Sequence, residues 1–160
     1  MQHCFAPVTR SDTRLLVLGS LPGEVSLARR QYYAHPQNQF WRLIGAVIER
    51  DLVALDYGAR LEALLDARVG LWDTVAAATR KGSLDADIKL HSASDLSALV
   101  TTLPELRAIG FNGGTSAKIG RAQLGAAEGL ELIDLPSSSP AYTLAFERKL
   151  AVWSRLRDYL

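Results

Sequence analysis

The sequence predicts an α/β protein, a three-layer α/β/α sandwich around a mostly parallel sheet, on three observations. Short apolar runs that read as buried strands alternate with stretches of helical periodicity. Those runs end in Gly, Pro, Asn or Ser clusters, the composition of loops at strand ends. Parallel neighbours also need crossover connections, which intervening helices supply while covering both faces of the sheet. The 160 residues suit one folding unit spanning 1–160, with no internal boundary.

Taken in order, Arg14-Leu15-Leu16-Val17-Leu18-Gly19-Ser20 is a mostly apolar run opening into a Pro-Gly loop, the pattern of a buried central strand. Asn38 stands at the N-cap of a helix from Gln39 to Arg50, in which Phe40, Trp41, Leu43, Ile44, Val47 and Ile48 recur at helical spacing. A second helix covers Gly58 to Ala67, and Gly70 to Val75 fits either strand or loop. Residues 79–95, rich in Gly, Ser, Asp and Lys, read as a surface connection, with Ser94 or Asp95 capping a helix that reaches Leu103. Arg107 to Phe111 is the next buried strand, Ser116 to Leu124 a helix, and Leu130 to Leu135 a strand. Thr143 to Leu160 forms a long closing helix with Phe146, Leu150, Trp153, Leu156 and Leu160 on its apolar side. In such sheets the loops after the carboxyl ends of strands form the ligand crevice; here they are Gly19–Gly23, Asn112–Thr115 and Pro136–Tyr142.

Composition narrows the classes. With 48% hydrophobic and 22% charged residues the chain carries neither a membrane-span run nor the polarity of a disordered protein. Met1 to Pro7 lacks the basic and apolar blocks of a signal peptide, so a soluble cytoplasmic enzyme is expected. A single cysteine, Cys4, excludes an intramolecular disulfide and a four-cysteine cluster. His3, His35 and His91 form no metal-binding spacing, so neither metal nor cofactor is expected. The net charge of +1 does not announce a nucleic-acid binder. Residues 1–50 nevertheless hold Arg10, Arg14, Arg29, Arg30, Arg42 and Arg50 against Asp12, Glu24 and Glu49, a local positive bias.

Three stretches carry the candidate chemistry. Gly19-Ser20-Leu21-Pro22-Gly23 pairs two glycines, which let backbone approach a planar ligand, with a stiffening proline. Gln31-Tyr32-Tyr33-Ala34-His35-Pro36-Gln37-Asn38-Gln39-Phe40-Trp41 concentrates rings, amides and a histidine, suited to stacking on a base and reading its edge. Leu135-Pro136-Ser137-Ser138-Ser139-Pro140-Ala141-Tyr142 offers hydroxyls and amide groups ahead of a helix, suited to phosphate oxygens, and a small apolar tip able to wedge into a base stack. Each also has a plainer reading, as a turn, a capped helix start and a loop. No G-x-S-x-G surrounds the serines, which argues against a serine hydrolase.

Together, GSLPG, YAHPQNQFW and LPSSSP, in this order from Arg14 to Tyr142, resemble the uracil-DNA glycosylase superfamily. The mismatch-specific uracil/thymine branch has G-x-N-P-G, HPxNxFW and LPNxSG in the same order. Leu21 departs from that branch: it stands where the water-positioning asparagine would be, and its side chain can neither donate nor accept a hydrogen bond. With Arg80-Lys81-Gly82-Ser83-Leu84-Asp85 and Phe111-Asn112-Gly113, the chain is instead similar to the hypoxanthine-DNA glycosylase branch. That resemblance implies catalysis by Asn38; with it, base binding is expected of Gly19, Ser20, Leu21, Pro22, Gly23, Tyr33 and Asn112, and DNA binding of Ser137, Ser138, Ser139, Pro140, Ala141 and Tyr142. The implied partner is DNA containing a deaminated base, met by a monomer with no membrane role and no cofactor.

The implied reaction hydrolyses the N-glycosidic bond of an extruded deaminated purine, without a lysine nucleophile and therefore without strand cleavage. Asp73 is a further candidate for holding the water, beside a helix-cap or loop role. The alternatives are a uracil, xanthine or mismatch-specific glycosylase, a non-catalytic nucleic-acid-binding module, and a small-molecule hydrolase on the same scaffold.

Overall fold

The computed structural model describes residues 2–3, 5–80 and 88–160. Cys4 and the Lys81–Asp85 part of the Arg80–Asp85 stretch lie outside the described residues, as do the side chains of His3 and His91. The central strand β2, Leu15–Gly19, is buried at every position because both of its faces are covered. Leu15 and Val17 enter one apolar cluster, and Leu16 and Leu18 another on the opposite face, as the period-two alternation of a strand requires. β2 pairs in parallel with β3, Val69–Asp73, and with β6, Ala108–Asn112; β6 pairs in parallel with β7, Glu131–Leu135. The order is β3-β2-β6-β7.

One face carries α2, Phe40–Ile48, α3, Tyr57–Asp66, and α6, Phe146–Trp153, which bury Phe40, Leu43, Ile44, Leu64 and Trp153 in the larger cluster. The other carries α4, Leu96–Thr101, and α5, Gly114–Leu124, whose Leu96 and Ala117 pack on Ile109 and Phe111. These are the three layers expected from the alternation of strands and helices.

The Gly70–Val75 stretch, which fits either strand or loop, is strand on both sides of Thr74: β3 ends at Asp73 and β4, Val75–Arg80, follows almost at once. Several other local expectations are corrected. The surface connection assigned to residues 79–95 instead contains β5, Ile88–Ala93, antiparallel to β4, with β1, Gln2–His3, on β4's other side. Ile88, Leu90 and Ser92 alternate with Lys89 and His91, a strand period that polar composition hides. A short helix α1, Glu24–Arg29, was not expected; six residues are too few to show helical periodicity. The closing helix is two pieces, α6 and a 3-10 segment at Ser154–Tyr159. There Arg157 donates to the Ala46 and Val47 carbonyls at 2.6 and 3.3 Å, adding side-chain donors at the end of α2, where the Ala46 carbonyl also accepts from the Glu49 amide at 3.3 Å. Gln39, not Asn38, takes the N-cap position of α2; Asn38 acts one residue earlier, its Oδ1 accepting from the Phe40 amide at 2.9 Å. Asp95 and not Ser94 caps α4, accepting from the Ala98 amide at 3.0 Å.

From β2 the chain first moves outward to β3 and later returns to β6 on β2's other side. The crevice of a parallel sheet opens at the carboxyl ends of strands where the order reverses in this way. Here that point is the end of β2 beside the end of β6, at Gly19 and Asn112.

Candidate active site

A cleft of about 250 Å³ lies at that reversal. It is at the small end for ligand sites and matches one planar base better than a large cofactor. Its lining brings together Gly19, Ser20, Leu21, Pro22, Gly23, Tyr33, Asn38, Asn112, Ser137, Ser138, Ser139, Pro140 and Ala141. Tyr142 does not line it and stands on the surface nearby, 48% exposed. Among the described residues no Lys or Arg contributes, so the arginine bias of residues 1–50 does not converge here. Arg10, for one, is paired with Glu62 and Asp66 at 2.9 and 2.8 Å.

The floor is set by strand register. Gly19 and Asp73 are paired across β2 and β3, and Asp73 is 3% exposed. A Cβ placed on Gly19 would stand 2.7 Å from Asp73 Oδ1 and 2.9 Å from the Tyr33 hydroxyl. Gly19 is therefore needed because two polar side chains of the cleft crowd over its Cα. Leu21 is buried beside Val75 and Ile119, an apolar patch of the wall.

Tyr33 reaches the cleft from a left-handed backbone, φ 53°, which is unfavourable for a residue with a side chain. Its surroundings hold it. The ring stacks on Phe40 with centroids 3.8 Å apart and planes 11° from parallel. Its carbonyl accepts from Trp41 Nε1 at 3.2 Å, and its hydroxyl accepts from Asn112 Nδ2 at 3.3 Å. Tyr32 turns the other way, its hydroxyl donating to the Ala6 carbonyl at 3.0 Å.

Asn112 and Ser138 form the joint between sheet and loop. Asn112 Oδ1 accepts from the Ser138 amide at 2.9 Å, and its Nδ2 donates to Ser138 Oγ at 2.9 Å as well as to Tyr33. The Ser138 carbonyl then accepts from the Gln39 amide at 3.0 Å, fixing the start of α2 beside Asn38. Ser138 is 1% exposed, so it shapes the loop from beneath. Asn112→Ala would leave a buried amide and hydroxyl unpaired. The expected loss is about 1–3 kcal/mol of stability, read as a lower denaturant midpoint, together with weaker DNA binding.

The backbone amides of Ser138, Ser139, Ala141 and Tyr142 are not free, contrary to the expectation for phosphate contacts. Ser139 N donates to Ser137 Oγ at 3.1 Å, Ala141 N to Ser139 Oγ at 3.2 Å and Tyr142 N to the Ser139 carbonyl at 3.1 Å. Internal bonds have already ordered this segment. What it presents outward is hydroxyls, Pro140, Ala141 and Tyr142.

A profile of the Uracil DNA glycosylase superfamily matches residues 6–158, nearly the whole chain. The chain belongs to this superfamily. It is 40% identical over 150 residues to a Methanosarcina barkeri protein named hypoxanthine DNA glycosylase, with 94% of each chain covered. A Methanosarcina acetivorans protein of the same name is 38% identical over 149 residues, with 93% of each covered. Among solved structures, the solution NMR structure of a Methanosarcina acetivorans protein, described as a candidate uracil DNA glycosylase, superposes with a TM-score of 0.87. It is 36% identical, with 98% of this chain and 96% of that one covered.

Within this superfamily member the cleft also recruits side chains that the motifs did not single out as site residues. Ser26 accepts from the Ala34 amide at 2.9 Å, and His35 Nδ1 accepts from the Gln37 amide at 3.1 Å, both shaping the segment that carries Tyr33. Among the described residues Asp73 is the only carboxylate in the lining, and its place at the end of a central strand was the signal for it. Asn38 is half-buried. With Oδ1 held by Phe40, its amide NH2 has no protein partner among the described residues.

Proposed function

We propose that the protein releases hypoxanthine from DNA by hydrolysing the bond between purine N9 and deoxyribose C1′, without cutting the strand. The observation that carries this reading is Asn38: a cleft-lining amide with two uncommitted N–H donors, in a site where Leu21 supplies none. The names of the two Methanosarcina relatives support the choice of base.

A base must leave the stack to be reached, at about a few kcal/mol, less for a weakly paired one. Once extruded, the purine stacks on the Tyr33 face opposite Phe40, and the backbone of Ser20–Gly23 lines its edge. A water oxygen attacks C1′ as the C1′–N9 bond breaks, the electron pair leaves with the purine, and the water's proton is released. Negative charge grows on the departing base, and the Asn38 amide, donating to that base, stabilises the charge in place; donation to the water would instead only hold the nucleophile in position. Asp73 on the floor is a second group able to orient water. Asn112 and Ser138 act as positioning residues, while Ser137, Ser139, Pro140, Ala141 and Tyr142 face the DNA. One chain supplies every group, so a monomer suffices. Among the described residues no helix is long and apolar enough to cross a membrane.

The deciding experiment treats duplexes carrying hypoxanthine, xanthine, uracil or a thymine mismatch with purified protein and scores abasic sites with and without alkali. Release of hypoxanthine above the others, with breaks only after alkali, is expected. Preferential release of uracil, or binding with no release at all, would each reject the reading. Tyr33→Ala is expected to weaken affinity for hypoxanthine-containing DNA about ten- to hundredfold, the worth of one base–aromatic stack; unchanged affinity in a fluorescence titration would remove Tyr33 from that role.

A further inference from the structure

Lys149 belongs to none of the three motifs, yet it is 1% exposed. It sits in α6 three residues after Phe146 and four before Trp153, on the side that packs against the sheet. Its Nζ donates to the Ser139 carbonyl at 3.3 Å and stands 5.4 Å from the centroid of the Tyr142 ring. Among the described residues no carboxylate pairs with it, and beyond the Ser139 carbonyl and the Tyr142 ring the ammonium has no further hydrogen-bond acceptor. Removing an ammonium from water with so little compensation costs about several kcal/mol. Burial accordingly holds the Lys149 pKa below the ordinary lysine value. A methionine would fill the same space without that penalty, so packing does not explain the charge.

Its location does. The Ser139 carbonyl accepts both from Lys149 and from the Tyr142 amide, which makes the ammonium the inner support of the Ser139–Tyr142 turn. That turn is exposed at Pro140, Ala141 and Tyr142, and among the described residues no Lys or Arg lines the neighbouring cleft. A buried cation in a low-dielectric setting projects its field outward through the turn with little screening.

We propose that Lys149 is a phosphate-positioning residue: its ammonium, held beneath the Ser139–Tyr142 turn, supplies the positive charge that seats one DNA phosphodiester over that turn. This rests on the reading of the protein as a DNA glycosylase. The ammonium does not touch the phosphate. It fixes the turn and neutralises the charge that arrives above it, so the loop that meets DNA needs no surface lysine of its own.

The test is the salt dependence of binding to a duplex containing an uncleavable abasic-site analogue, which requires no base release. For Lys149→Met the slope of log affinity against log salt should fall by about 0.9, the contribution of one neutralised phosphate. Raising salt fourfold should then weaken the wild type about 3.5-fold more than the variant. Lys149→Arg should restore the slope. A wild-type slope in Lys149→Met overturns the proposal, as does equal impairment of Met and Arg variants, which would make the role one of packing. Should the Met variant not fold, Lys149→Gln is measured in the same way with the same criteria. Absence of release from every modified base, with the wild-type and Met slopes still differing as stated, would instead reject the glycosylase reading and leave the phosphate role standing.

Discussion

Asn38→Ala is expected to lower single-turnover release of hypoxanthine by about 10²–10³-fold, the usual consequence of deleting one preorganised donor at a developing anion. The substitution also removes the acceptor that the Phe40 amide uses at 2.9 Å, at a cost to stability of about 1 kcal/mol. Two effects of one residue must therefore be separated. Asn38→Asp does so: it keeps an oxygen for Phe40 and loses the NH2 group, so near-normal stability with strongly impaired release is expected. Thermal melts run beside quenched single-turnover assays on both variants give the comparison. Full release by Asn38→Ala would mean that the residue serves the helix alone.

Gly19→Ala should damage both stability and base release, although it adds a single methyl group. Its added methyl would lie 2.7 Å from Asp73 Oδ1 and 2.9 Å from the Tyr33 hydroxyl. Neither neighbour yields easily, since Asp73 is buried and the Tyr33 ring is stacked on Phe40. The expected destabilisation is about 1–3 kcal/mol, as for other overpacked sites, with base release reduced at least about tenfold because a shift of the order of 1 Å is enough to spoil alignment. Gly114→Ala is the matched control, for a Cβ there meets nothing within 4 Å. Equal activity in the two variants would show that the crowding over Gly19 has no bearing on the reaction.

The central strands were legible in the sequence because β2 and β6 are buried on both faces and appear as continuous apolar runs. The β4–β5 pairing was not, since its alternation is submerged in polar residues, and α1 was too short to announce itself. At the site, the motifs marked thirteen residues that do line the cleft, while the partners of those residues stayed hidden. Asn112 bonds to Ser138, 26 positions away, and to Tyr33, 79 positions away, relations that only the folded sheet creates. Nor does the sequence around Tyr33 contain a glycine to advertise a left-handed residue. Lys149 had a visible signal, a charge in register with Phe146 and Trp153 on the apolar side of its helix.

The loop from Ser137 to Tyr142 closes its own hydrogen bonds and is tied to β6 and α2 through Ser138. Its conformational entropy was thus surrendered when the chain folded, and little remains to be lost when DNA arrives. Contact free energy that a floppy segment would consume in becoming ordered stays available for unstacking the damaged nucleotide. In such an encounter the protein is the die and the duplex is the material that bends.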